Sequence, residues 1–234
     1  MLRLPVSPRL RLPSQCEVCR SWGGAALCTA CVARYAAPRP RCGRCGLALG
    51  LAAPACGDCL RDPPPFEFTV CVADYGFPWD RLIGDYKFRG RVELASAFAA
   101  LMSSAVRTHA VPLPQLVLPV PLAPARLAER GYNQAWELAR RVAADLRLPA
   151  HADLLQRPVA TEQQTELGRA ARQRNLRSAF MVDPRRRKLL AGQRIALVDD
   201  VLTTGATARE AAHQLLRAGA VAVDIWVLAR TPES

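Results

Sequence analysis

Eight of the nine cysteines lie within the first 60 residues, as four Cys-x2-Cys pairs: Cys16/Cys19, Cys28/Cys31, Cys42/Cys45 and Cys56/Cys59. Nothing else in the chain restricts its fold as strongly. Two residues between thiolates let both reach one ion from a tight turn, and two such turns complete a tetrahedral site. Four pairs therefore predict two structural zinc ions. Both sequential grouping (16, 19, 28, 31 and 42, 45, 56, 59) and interleaved grouping satisfy the spacing. A disulfide framework would need an oxidising compartment, and the opening "MLRLPVSPRLRLPSQC" has no apolar secretory core, because prolines and arginines interrupt it. A redox role does not explain four regularly spaced copies. The stretch is also too short and too poor in large apolar residues to fold without metal. Cys71 stands apart in "FTVCVADYGF" and reads as a core residue.

After the Pro-rich connector "RDPPPFEF" (61–68), the apolar pattern alternates between two periods. Strands are expected at "TVCVADYGF", "QLVLPVP", "RIALVDD" and "VAVDIWVLAR". Helices are expected at "WDRLIGDYKF", "RVELASAFAALMSSAVRTH", "NQAWELARRVAADL" and "TAREAAHQLLRAG", the last stopping at Gly219. In the third helix Ala135, Leu138, Val142 and Leu146 share one face. Strands alternating with helices predict an α/β domain with a mostly parallel sheet flanked by helices. Residues 157–190 break the rhythm with a long polar stretch and the run "RRRK", as a lid or a disordered loop does.

"IALVDDVLTTGAT" (195–207) joins a buried strand to two carboxylates, a small-residue loop and a helix start. Ligands of open α/β sheets bind beyond the carboxyl ends of strands. The loop lets backbone N–H groups approach an anion, and the helix start adds its dipole. Thr203, Thr204 and Thr207 add hydroxyls, with Gly205 and Ala206 between them. Asp199 and Asp200 would repel a phosphate and suit sugar hydroxyls or a divalent metal. The pattern matches neither the Walker loop nor the dinucleotide fingerprint. A sugar phosphate fits it.

"LVDDVLTTGAT" resembles the phosphoribosyl-pyrophosphate (PRPP) motif of type I phosphoribosyltransferases. With "YKFRG" (86–90), "PVPLAPARLAERGYNQAWELA" (119–139), "RNLRSAF" (174–180) and the cysteine pairs, nearly the whole chain resembles the ComF (competence protein F) family. The resemblance implies a double zinc ribbon module over 1–62 and a type I phosphoribosyltransferase-like domain over 63–234. It implies that Asp199 and Asp200 hold the ribose hydroxyls and residues 203–207 the 5-phosphate. The turn after "LVLPVP" would be the pyrophosphate loop, with Arg126, Arg130, Lys87 and Arg89 as candidate cations. "TEQQTELGRAARQRN", including Gln163, Gln164 and Thr165, would be the closing loop. Magnesium would arrive with PRPP, and PRPP or ribose 5-phosphate would be the ligand.

Two functions fit these residues. One is phosphoribosyl transfer from Mg-PRPP, linked to DNA uptake or nucleotide metabolism. The other is non-catalytic handling or sensing of single-stranded DNA alongside the competence machinery, on a retained PRPP fold. Transfer chemistry needs no protein nucleophile, and His109, His151 and His213 form no constellation. Lys and Arg number 32 against 20 Asp and Glu, a formal +12. Two zinc centres with four thiolates each would lower this to about +8. The excess permits a phosphate-rich partner without requiring one. The apolar run at 94–106 is far shorter than the roughly 20 residues of a membrane span, so a cytoplasmic location without membrane insertion is expected.

Overall fold

The computed structural model describes residues 13–109, 112–158 and 179–232. Compactness draws one boundary, between Ala37 and Pro38. The N-terminal unit contains a hairpin, β1 (Ser14–Gln15) with β2 (Trp22–Gly23), and helix α1 (Thr29–Tyr35). The Cys28 sulfur caps α1 by accepting from the Cys31 amide.

The C-terminal unit begins with the second pair of cysteine turns and the short α2 (Gly57–Arg61). It continues as β3 (Phe68–Asp74), α3 (Trp79–Phe88), α4 (Leu94–Thr108), β4 (Leu116–Pro119), α5 (Pro124–Arg130) and α6 (Gln134–Leu146). A two-stranded pair, β5 (Leu155–Gln156) with β6 (Met181–Val182), precedes β7 (Arg194–Leu202), α7 (Ala206–Arg217) and β8 (Ala222–Arg230). The central sheet has the order β3-β8-β7-β4 and every pairing in it is parallel.

Helices α4, α6 and α7 all pack on the sheet, and α7 shares its core cluster with Ala135 of α6. Alternate residues of β7 serve the two faces. Ile195 and Leu197 join the core that contains Ala208, Ala211 and Leu215 of α7. In α6, Ala135, Leu138 and Val142 are fully buried, as their spacing predicts, while Leu146 at the helix end is only partly buried. Cys71 is buried in β3, and burial pushes its thiol up to about 11. The expected strands and helices of this unit all form. Helix α5, the β5–β6 pair and the helical turns next to the cysteines are additions to the expected elements.

The outer edge of β3 would otherwise expose unpaired backbone. The turn between Cys42 and Cys45 covers it: the Thr69 amide donates to the Gly43 carbonyl at 2.8 Å and the Thr69 hydroxyl to the Arg44 carbonyl at 2.5 Å. Gly46 allows this approach. Its φ is +71°, and a Cβ there would meet Thr69 Cγ2 at 2.9 Å.

Candidate functional site

Two clusters of four cysteines form, Cys16/Cys19/Cys28/Cys31 and Cys42/Cys45/Cys56/Cys59, with all sulfurs of a cluster within 4.8 Å of one another. The grouping is therefore sequential. Cys19 Sγ lies 3.7 Å from Cys28 Sγ, and Cys45 Sγ 3.7 Å from Cys56 Sγ. A tetrahedral ion with thiolates at about 2.3 Å holds its ligands about 3.8 Å apart, whereas a disulfide needs about 2.05 Å. All nine cysteines are unpaired. Backbone amides point at the sulfurs, from Cys28 to Cys16, Cys31 to Cys28, Cys45 to Cys42 and Cys56 to Cys42, at 3.2–3.4 Å. Such bonds favour thiolates. Each cluster fits a structural zinc ion.

The second site lies at the carboxyl ends of the neighbouring strands β4 and β7. The β7 ladder runs past the aspartates to Leu202, and Thr203, Thr204 and Gly205 then turn the chain into α7. Gly205 takes φ +77° as its N-cap, a conformation that side chains disfavour. Thr204 Oγ1 accepts from the Ala206 amide at 3.4 Å. Thr203, Thr204, Ala206 and Thr207 are exposed. Asp199, Thr203, Gly205 and Thr207 line a cleft of ≈ 40 Å³.

The adjacent carboxylates point to opposite faces, as strand geometry requires. Asp199 Oδ1 accepts the Asp200 amide at 2.9 Å. Burial, and then the Asp200 charge, push the Asp199 carboxyl well above the ordinary carboxylate range. Asp200 is 2% exposed. Its Oδ1 pairs with Lys87 Nζ at 2.8 Å, and its Oδ2 is buried without a hydrogen-bond partner.

Lys87 connects this carboxylate to a cavity of ≈ 450 Å³ that Arg126 and Arg130 also line, with Phe88, Leu122 and Gln134. Among the described residues of that lining, Glu129 alone is acidic. Arg130 donates to Gln134 Oε1 at 2.5 Å and lies over the Phe88 ring, 5.1 Å from its centroid. Three of the four candidate cations thus meet. The fourth, Arg89, is absent from the lining and pairs with Asp85 at 3.1 Å, its side chain 75% exposed.

"RGYNQ" builds the wall of this cavity. Asn133 caps α6 by accepting from the Ala135 and Trp136 amides, and its Nδ2 donates to the Val120 carbonyl at 3.1 Å. Tyr86 donates to the Gln134 carbonyl at 2.7 Å, and Tyr132 donates to the Tyr86 carbonyl. Burial raises the pKa of both phenols, so they act as neutral struts.

Sequence reasoning missed Arg157, at the end of β5. Burial, then the nearby Arg126 charge, lower its pKa, and it lies 5.4 Å from the Phe180 ring centroid. Two of the four cations in the run at 185–188 are engaged, while Arg185 and Lys188 are exposed. Arg186 pairs with Asp153 at 2.5 Å, and Arg187 donates to the Arg217 and Ala218 carbonyls at the end of α7. Gln163, Gln164, Thr165 and most of "RNLRSAF" lie outside the described residues, as do Arg169, Arg172, Arg174 and Arg177.

The chain is 37% identical over 232 residues to the DNA utilization protein YhgH of Escherichia coli (strain K12), covering 95% of this chain and 99% of that protein. It is 35% identical to Competence protein F of Haemophilus influenzae (82% of this chain, 85% of that protein) and 31% identical to Competence protein ComFC of Bacillus subtilis (81% and 78%). The chain belongs to the ComF family. No family model matches it. Among solved structures, this ComF-family chain aligns with the glutamine PRPP amidotransferase of B. subtilis at 20% identity and a TM-score of 0.44, over 62% of this chain and 30% of that one. It aligns with an adenine phosphoribosyltransferase of Leishmania tarentolae at 16% identity and a TM-score of 0.40, over 70% and 76%. Among the described residues no helix is long and apolar enough to cross a membrane.

Proposed function

We propose that this ComF-family chain binds Mg-PRPP between the β4–α5 and β7–α7 loops and transfers its phosphoribosyl group to a nitrogen acceptor, in a pathway of DNA uptake or use. The carrying observation is Asp200. It is a buried carboxylate with one oxygen on Lys87 and the other unpartnered. A buried acceptor without a donor is costly, and a ribose hydroxyl is the kind of donor that would satisfy it. The loop 203–207 would take the 5-phosphate on its amides and hydroxyls. Lys87, Arg126 and Arg130 would hold the pyrophosphate.

In the transfer, the bond from C1 to the pyrophosphate oxygen breaks and a bond from C1 to nitrogen forms. The nitrogen's proton leaves to solvent. Cations around the departing pyrophosphate stabilise its charge as it develops, so no protein nucleophile is needed. Magnesium, when bound with PRPP, supplies further charge neutralisation. In functional terms the chain divides after residue 62, with residues 63–234 carrying this site. Unpaired thiols in both clusters suit a reducing compartment such as the cytoplasm.

The test is pyrophosphate release from Mg-PRPP across a panel of nitrogen acceptors. Acceptor-dependent release that Lys87→Met abolishes supports transfer. PRPP binding without release under any acceptor leaves the binding function alone.

The second reading is single-stranded DNA handling without catalysis. The formal charge of +12 and the relatives named for DNA utilization and competence favour it. Phosphate contacts release counterions, so such binding weakens steeply with salt. A single-strand titration showing no binding at low salt removes this reading.

A further inference from the structure

Two arginines tie the loop at Thr203–Gly205 to the second cysteine cluster, one on each flank. Arg230, the last residue of β8, donates through Nε to the Cys45 carbonyl at 3.0 Å. Its Nη1 donates to the Leu202 carbonyl at 3.3 Å and the Thr231 carbonyl at 2.5 Å. Leu202 immediately precedes the loop, and its carbonyl also accepts the Thr231 amide at 3.0 Å. On the other flank Arg209, in the first turn of α7, donates through Nη2 to the Asp62 carbonyl at 3.0 Å and pairs through Nη1 with the Asp62 carboxylate at 3.3 Å. Asp62 is the C-cap of α2, the helix that carries Cys59. One flank is therefore held by the Cys42/Cys45 turn and the other by the Cys56/Cys59 turn.

The anchoring carbonyls are main-chain atoms, so their positions are only as fixed as the turns that carry them. The apolar cluster around those turns is small: Cys42, Leu47, Cys56 and Cys59, with Cys45, Leu49 and Ala55 packed against it. So small a cluster depends on its metal for order. We infer that Arg230 and Arg209 are positioning residues that make the order of the 203–207 loop, and its affinity for an anion, depend on metal in the second cluster. The affinity half rests on reading this loop as a phosphate cradle, and the order half does not.

Hydrogen exchange by mass spectrometry on the full zinc-loaded chain separates the two halves. Under graded chelation, peptides over 42–59 report loss of the second metal and peptides over 16–31 loss of the first. The 202–208 peptide should lose protection in step with 42–59. In Arg230→Met, 202–208 should exchange about tenfold faster with 42–59 still protected, as loss of a charge-assisted bond implies, and should respond less to chelation, with only the Arg209–Asp62 tie left. Strand peptides over 194–198 should be unchanged, which general destabilisation would not allow. The dissociation constant of ribose 5-phosphate should rise about tenfold in the same variant. Protection of 202–208 that survives the opening of 42–59 overturns the coupling, as does a variant as protected as wild type. If Arg230→Met does not fold, Arg209→Met decides through the same peptide, with a rise of a few-fold expected and none contradicting. A wild type that binds no ribose 5-phosphate defeats the cradle reading while the exchange result still decides the coupling.

Discussion

The two cysteine clusters are built alike and lodged differently. In each, the residue after the second cysteine donates to the carbonyl of the first: Arg20 to Cys16 and Gly46 to Cys42, both at 2.9 Å. Both take a left-handed φ, +63° and +71°. The first cluster has an arginine at this position, Cys19 is exposed, and the cluster lies in the unit that ends at Ala37. The second has a glycine there, because a side chain would strike Thr69 of β3. Its partner Cys42 is fully buried, and Arg41 pairs with Asp74 at 2.6 Å while donating to the Gly46 carbonyl at 3.1 Å. One motif thus lies in the compact N-terminal unit, and the other covers a sheet edge. Metal bound in the second would contribute to the fold that bears the candidate site.

The largest expected contrast is Cys42→Ser against Cys16→Ser. Zinc binding in small peptides reaches about 10–16 kcal/mol, as much as a domain's whole stability of about 5–15 kcal/mol. Cys42→Ser should lower the melting temperature of the sheet-bearing unit by more than about 10 °C. Cys16→Ser should leave that transition in place and deprotect only 13–37 in hydrogen exchange. Equal effects would erase the distinction between the clusters.

Gly46→Ala should destabilise by about 2–3 kcal/mol, combining the unfavourable φ with overpacking against Thr69. Gly24→Ala has nothing within 4 Å of the added methyl and should stay within about 0.5 kcal/mol. Denaturant titration of both variants measures the difference. Arg20→Gly should stabilise the N-terminal unit by about 0.5–1 kcal/mol, because it removes a left-handed arginine at the cost of a more flexible unfolded chain. Slower exchange over 13–37 checks it.

A further effect, seen only as a dependence on pH, concerns Asp199 and touches only the C-terminal unit. Its folded pKa lies above the ordinary value of 3.8. Its contribution is therefore fully present below that value and is lost as pH rises through the folded pKa. Asp199→Asn should melt higher than wild type at neutral pH, and the two melting curves should converge toward acid. An advantage independent of pH would mean that the carboxyl is not titrating as inferred.

Much of this was legible in the sequence, for physical reasons that differ by element. The four strands of the sheet announce themselves because they are buried on both faces, as Ile195–Val198 and Val223–Leu228 are. Helix α6 is legible because Ala135, Leu138 and Val142 repeat at helical spacing. Asp199–Thr207 is legible because strand, carboxylates and loop are contiguous. What could not be read depends on distant partners. Lys87 meets Asp200 across 113 positions of chain, and Arg230 meets Cys45 across 185. Arg126 and Arg89 look equivalent in sequence, yet one lines the cavity and the other pairs with Asp85 on the surface. The lodging of the second cluster was hidden for the same reason, since the spacing of its cysteines carries no information about β3.

A sugar-phosphate site at 199–207 is tested most directly by titration calorimetry of ribose 5-phosphate into the zinc-loaded full chain, repeated with Asp200→Asn and Thr204→Ala. One site per chain is expected in the wild type. Asp200→Asn should weaken it through lost diol recognition and Thr204→Ala through lost phosphate recognition, each by about three- to tenfold. No binding by the wild type, or binding unaltered in both variants, would contradict a sugar-phosphate site at 199–207.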